Sequence, residues 1–211
     1  RRTTWCWRRR REPVVALTSR DEVVRRLRAA GCVWAEDEAD LILAEGDVER
    51  RVALRESGTP LEVVLGWAEL AGVRVLVDPG VFVPRRRSEL LVRAAREAAA
   101  AMDRPVVVDL CCGTGAVGAA VVAVLPAYDL HAADLDPLAV ACARRNIDPL
   151  GGAVHQGDLY DALPPGLVAD VLVVNAPYVP SGEVDLLPHE ARDHEPRSAD
   201  RKSTRLNSSH L

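Results

Sequence analysis

Aromatic residues are scarce in this chain, 4% in all with a single Phe and three Tyr, and there is one Met. Ala and Val carry the apolar content instead, the composition of α/β proteins whose helices pack tightly on a sheet. No run is long and apolar enough to span a membrane, and no charged, apolar and small-residue sequence at the start reads as a signal peptide. The five cysteines (Cys6, Cys32, Cys111, Cys112, Cys142) are odd in number and form no C-x-x-C pair. This argues against a disulfide framework or a zinc site and for a reducing cytoplasm. His131, His155, His189 and His194 have no ligand spacing, so no metal is expected. Anionic charge is also less diluted than the formal −4 suggests, because six arginines crowd into Arg1–Arg11. The remaining body is strongly acidic and repels phosphate, which disfavours a polynucleotide substrate.

What is present is a chain of 211 residues, 48% apolar, enough for one good-sized domain and a smaller appendage. It is organised around V-V-V-D-L-C-C-G-T-G-A-V-G, Val106–Gly118. Pro105 and the β-formers Val106, Val107, Val108 and Leu110 read as a short buried strand that Gly113, Gly115 and Gly118 end in a tight turn. Ala116–Leu125 follows as a buried helix, completing a strand, glycine loop and helix able to hold a nucleotide-like ligand. A lone G-x-G-x-x-G is weak, since dinucleotide-binding and methyl-donor-binding folds share it. Asp109 lies four residues before Gly113 in the strand's last turn, where a carboxylate is expected to face a ligand rather than the core. Asp134 ends the next strand-like run, where it could accept hydrogen bonds from both hydroxyls of a ribose. An acid before the glycines and another after the second strand resemble class I S-adenosyl-L-methionine (SAM) methyltransferases, which implies Asp109 facing the cationic methionine end and Asp134 the ribose.

In chain order, residues 1–18 read as a disordered or spurious basic lead-in. Ser19 caps a first helix with Val23, Val24 and Leu27 on one face; Glu36–Ala44, Val48–Glu56 and Pro60–Leu65 give three more. Residues 19–72 are therefore a small helical unit that leans on the rest. Val73–Val83 alternates and turns at Asp78-Pro79-Gly80, which predicts a β-hairpin linker over residues 73–84. Ser88–Met102 is a helix with Leu90, Leu91, Ala94, Ala95 and Ala98 inward. Asp129–Asp134, Ala153–Gln156 and Val168–Val174 are further strands, the last apolar and expected to be buried on both faces, with a helix from Pro137 to Asn146. The alternation predicts an α/β, doubly wound, Rossmann-like sheet of parallel strands.

The last of these strands runs into Asn175-Ala176-Pro177-Tyr178. Ligands of open parallel sheets sit beyond the carboxyl ends of the strands, so this tetrapeptide is expected beside the glycine loop. It suits methylation of a planar, weakly nucleophilic nitrogen. The Asn175 side-chain oxygen and the Ala176 carbonyl can accept its N–H groups, the Tyr178 ring can pack on its plane, and Pro177 keeps Ala176 extended. Asp158, just after the third strand, could accept from an adenine amino group or stand in a turn.

With both motifs in place the chain resembles the HemK/PrmC-type protein glutamine N(5)-methyltransferases, which act on the Gly-Gly-Gln loop of peptide chain release factors. The likeness runs from about Glu22 to Arg197 and rests on five pieces. They are Gly58–Gly72, D-P-G-V-F-V-P-R-R-R-S-E-L-L-V (Asp78–Val92), D-L-C-C-G-T-G (Asp109–Gly115), A-D-L-D-P (Ala133–Pro137) and N-A-P-Y-V-P (Asn175–Pro180). The resemblance implies a helical substrate-recognition domain and a SAM-binding domain over residues 85–199. It further implies cofactor contacts from Asp109, Cys111, Gly113, Thr114, Gly115, Asp134, Leu135, Asp158 and Asn175, catalysis by Asn175, Ala176, Pro177 and Tyr178, a release factor as partner and a monomeric state. Two departures stand out: Ala176 replaces the second residue of the family's N-P-P-Y, and Arg86 and Ser88 replace a proline and a threonine. Residues 200–211 look like translated sequencing adapter, and four strands are read where the resemblance implies seven, so the piece is expected to bind SAM poorly and to aggregate. Kept open beside this are an amino-group methyltransferase acting on adenine or guanine, an NAD(P)-dependent oxidoreductase and a non-catalytic binding module.

Overall fold

The computed structural model describes residues 19–176. Its first part is a helical unit: α1 (Arg20–Ala29), α2 (Ala35–Glu45), α3 (Val48–Glu56) and the single turn α4 (Leu61–Leu65). The Ser19 hydroxyl accepts the Glu22 N–H at 3.3 Å, and Asp21 and Glu22 in the first turn oppose the helix dipole. Val23, Leu27, Ala35, Ala39, Ile42, Val52 and Leu65 close a small apolar core, with Leu41 and Leu43 packed at its margin. So small a core gains from a buried ion pair: Arg55 donates to Glu38 at 2.8 Å and to the Thr59 carbonyl at 3.2 Å.

The predicted hairpin is displaced. It forms from β1 (Trp67–Leu70) and β2 (Val73–Leu76), paired antiparallel with Leu70 opposite Val73, so the turn is Ala71-Gly72 and not Asp78-Pro79-Gly80. Both turn residues have positive φ (+50° and +81°), as two-residue primed turns require. Ala71 carries no turn signal in sequence, and its left-handed backbone costs about 1 kcal/mol. Asp78-Pro79-Gly80 does turn, with the Val81 N–H donating to the Asp78 carbonyl at 3.2 Å, but it redirects the chain and pairs no strands. Ala68, Leu70, Val75 and Val77 of this region pack into the main core with Val107 and Ala120. Trp67 ties it back to α2 through its indole N–H, which donates to Glu45 at 2.8 Å.

The main unit begins with α5 (Glu89–Ala99) and then alternates β3 (Val106–Leu110), α6 (Ala116–Val122), β4 (Asp129–Asp134), α7 (Pro137–Ile147), β5 (Ala153–Gln156) and β6 (Val171–Val174). The four strands are parallel in the order β5-β4-β3-β6, as the alternation predicts. Helix α6 is shorter than expected, and every residue of it is buried. Helix α5 presents a different face: Val92, Ala95 and Ala99 are buried, while Leu90, Ala94 and Ala98 point outward. Arg96 lies half-buried beside this face and donates to the Ala120 carbonyl at 2.7 Å.

The two faces of the sheet differ. Val107, Leu130, Ala132, Val154, Val171 and Val173 lie in the core shared with the helices. Val108, Leu110 and Ala133 on the other side form a smaller cluster with the partly buried Val106, Ala162, Leu163 and Leu167. Strand β6 is therefore not buried on both sides: Leu172 is 42% and Val174 36% exposed. Its regular pairing starts three residues later than expected, at Val171, after Asp170 exchanges hydrogen bonds with Val106.

Candidate active site

The chain runs from β3 through β4 to β5 on one side, then crosses to β6 on the other side of β3. This switch point opens a crevice beyond the carboxyl ends of β3 and β6. The glycine loop fills one wall. Cys111 leaves β3 with φ +54°, the Cys112 N–H extends the ladder to the Ala133 carbonyl at 3.1 Å, and the Gly115 N–H closes the turn on the Cys112 carbonyl at 2.8 Å. Gly115 has φ +76°, and a Cβ there would stand 2.9 Å from Ile147 Cγ1. A Cβ on Gly118 would lie 3.1 Å from Asp109 Oδ2. Both glycines are thus demanded by close approach.

Asp109 is not turned toward open space. It is 1% exposed beneath α6, and its Oδ2 accepts the Gly118 N–H at 2.8 Å. The expectation of a ligand-facing carboxylate is corrected because the unoccupied side of Gly118 leaves room for it under the helix. Burial pushes its pKa up to about 7, opposed by the Gly118 N–H and reinforced by the charge of Asp134. Asp134 is half-buried at the end of β4; Oδ2 accepts the Gly113 N–H at 2.8 Å and Oδ1 the Asp136 N–H at 3.0 Å. Burial raises its pKa as well, against those N–H donors. Asp158 is half-buried just beyond β5. The Cys111 thiol is pushed up to about 11 by burial and then by Asp134, Asp109 and Asp158, so three carboxylates converge on the loop. At that pKa Cys111 remains a thiol, as does the more deeply buried Cys112.

Thr114 is buried, and Leu135, directly after Asp134, is 65% exposed. Asn175 and Ala176, both half-buried, directly follow β6, whose last paired residue Val174 stands opposite Leu110. They continue the chain from the strand end that pairs with Leu110, the residue before the loop. Pro177 and Tyr178 lie outside the described residues. Sequence reasoning missed Phe82, whose carbonyl passes 3.9 Å from the position of a Cβ on Gly113; it sits in the Asp78–Val92 piece that carried the resemblance. It also missed Asn146, whose only signal was its place at the end of a helix.

Two backbone amides, that of Gly113 in the loop and that of Gly118 in the first turn of α6, are thus already taken by carboxylates. A pyrophosphate would compete with those carboxylates and meet their charge, which argues against a dinucleotide. A ligand carrying a sulfonium and an ammonium group fits the same field. The fold and the acidic glycine loop define a class I SAM-dependent methyltransferase, with S-adenosyl-L-methionine as cofactor.

The chain belongs to the Methyltransferase small domain family, whose model matches residues 72–189. Within that family it groups with the release factor glutamine methyltransferases. It is 40% identical to the one of Streptomyces coelicolor over 152 residues, 70% of this chain and 54% of the relative. With that of Bifidobacterium longum it shares 31% over 213 residues, 82% of this chain and 72% of the relative. It is also 36% identical, over 82% of this chain and 62% of the relative, to the 4-amino-L-phenylalanine/4-methylamino-L-phenylalanine methyltransferase of Streptomyces pristinaespiralis. The chain thus spans a little over half the length of the first of these relatives. Among solved structures it is similar to an RNA methyltransferase of Salinibacter ruber in complex with S-adenosyl-L-homocysteine, with TM-score 0.36 and 24% identity over 50% of this chain and 66% of that one.

Proposed function

We propose that the protein methylates the side-chain amide nitrogen of a glutamine in a protein, the Gly-Gly-Gln loop of a peptide chain release factor, in the cytoplasm. The observation that supports this reading is the register of β6 on β3, in which Val174 stands opposite Leu110, so that Asn175-Ala176 and the glycine loop continue from neighbouring strand ends. SAM supplies an electrophilic methyl group on a positively charged sulfur. An amide nitrogen is a poor nucleophile because its lone pair is delocalised into the carbonyl. Asn175 Oδ1 and the Ala176 carbonyl compensate by accepting its N–H groups, which fixes the plane and leaves the lone pair aimed at the methyl carbon. The nitrogen gains the methyl group as the carbon–sulfur bond breaks, the bonding pair leaves with sulfur, and a proton is then lost from nitrogen to water. No general base is needed before transfer, since that proton becomes acidic only afterwards. Ala176 in place of the usual proline leaves this chemistry intact because the acceptor is a main-chain carbonyl.

The relative acting on 4-amino-L-phenylalanine favours a second reading, a small aromatic amine held by the same acceptors. Incubating the full-length protein and labelled SAM with a release factor, with the same factor carrying Gln→Glu in its Gly-Gly-Gln loop, and with an aromatic amine separates the two. Label on the unaltered factor alone supports glutamine. Label on the amine alone overturns it.

A further inference from the structure

Asn146 stands on α7, outside the ring of carboxylates, yet its carboxamide is engaged with backbone from two distant segments. Oδ1 accepts the Leu76 N–H at 2.8 Å. Nδ2 donates to the Leu76 carbonyl at 3.0 Å and to the Thr114 carbonyl at 2.8 Å. The amide thus serves the end of β2 as a neighbouring strand would, and its second N–H reaches the glycine loop. Only a primary amide offers one acceptor and two donors in so compact a group; a carboxylate of the same shape has no donor, and glutamine is a methylene longer.

Its surroundings on α7 bind the same two segments separately. Cys142 Sγ lies 3.4 Å from the Leu76 carbonyl and Arg145 pairs with Asp78 at 2.6 Å, both holding the exit of the hairpin. Ala143 and Ile147 pack under Gly115 of the loop. Asn146 reaches both. The hairpin is in turn bonded to the helical unit through Trp67 and Glu45.

We propose that Asn146 is a positioning residue that fixes the glycine loop against the hairpin, so that filling the methyl-donor site tightens the hold on the hairpin and the helical unit attached to it. This rests on SAM binding at the glycine loop and not on which nitrogen is methylated. By linkage, a clamp shared by loop and hairpin strengthens donor binding and is strengthened by it.

The test uses the full-length protein and no methyl acceptor, so it stands apart from the choice of substrate. Calorimetry should show the Kd for SAM rising about ten-fold in Asn146→Ala, and at least as much in Asn146→Asp, which keeps the shape and loses both donors. Arg145→Ala cuts a contact to the same hairpin exit without touching Thr114, and its Kd should stay within about two-fold of the parent. In the unaltered protein, saturating S-adenosyl-L-homocysteine should slow hydrogen exchange of the Leu76 amide by about ten-fold, a signature that a purely structural asparagine does not give. Unchanged SAM affinity in Asn146→Ala, equal losses in Asn146→Ala and Arg145→Ala, or a Leu76 amide indifferent to ligand would each overturn the proposal. Should the variants fail to fold, the exchange measurement decides alone.

Discussion

Carboxylates in the helical unit and carboxylates around the glycine loop live in opposite circumstances. In the helical unit they face arginines: Asp40 with Arg20, Glu49 and Glu56 with Arg26, Glu38 with Arg55, and Glu36 with Arg28. Asp40 and Glu56 are accordingly held below their ordinary pKa values, first by hydrogen bonds from those guanidinium groups. Around the loop, Asp109 and Asp134 accept hydrogen bonds from backbone N–H groups, and burial pushes both upward. The first set neutralises its own charge and holds a small core together. The second leaves a negative field unspent, a stability cost that a cationic ligand can offset.

The largest expected effect on the active-site side of this contrast is at Asn175. Asn175→Ala in the full-length protein should lower methyl transfer by about 100-fold or more while SAM binds within a few-fold of the parent. Unchanged turnover would remove Asn175 from catalysis. Next comes the buried pair of the helical unit. Glu38→Ala leaves Arg55 without its carboxylate in an enclosed site and should cost about 3 kcal/mol in denaturant unfolding; a loss below about 1 kcal/mol would mean the pair does not organise that core.

The pH response sharpens the comparison further. Asp109 has a folded pKa near 7 against an ordinary 3.8, so the folded state holds the proton more tightly. Its stabilising contribution is complete below about pH 4 and is lost as pH rises toward 7, at a limiting slope of about 1.4 kcal/mol per pH unit. Asp109→Asn should flatten this slope and raise stability at pH 8 while weakening SAM binding. Asp40 and Glu56 run the other way: their contributions stand above the ordinary carboxylate range and are lost as pH falls below it. The smallest effect belongs to the exposed Arg20–Asp40 pair. Asp40→Asn should shift the melting temperature slightly at low salt and not detectably in 1 M salt, where the Debye length is about 3 Å.

Much of this arrangement was legible before any coordinates. The order of strands and helices and the glycine loop follow from local signals, because alternation and glycines are read within a few residues. What was not legible depends on contacts between distant segments. The hairpin turn sits at Ala71-Gly72 because β1 and β2 pack on α6, which the conspicuous Asp78-Pro79-Gly80 could not reveal. On α5, Arg96 reaches across to the Ala120 carbonyl of α6, a contact that apolar spacing along the helix does not reveal. Asp109 looked like a ligand-facing acid because nothing within its own strand tells that Gly118 makes room for it below the helix. Asn146 carries no motif at all, and its role appears only when residues 76, 114 and 146 meet.

The claim beneath all of this is that the loop's unneutralised carboxylates select a cation. Calorimetric titration of the full-length protein with SAM at pH 7, repeated in buffers of different ionisation enthalpy, tests it most directly. The account predicts saturable binding accompanied by proton release, because a bound cation lowers the pKa of Asp109, and the loss of that release in Asp109→Asn. Proton uptake on binding, or saturable binding of NAD in place of SAM, would contradict it.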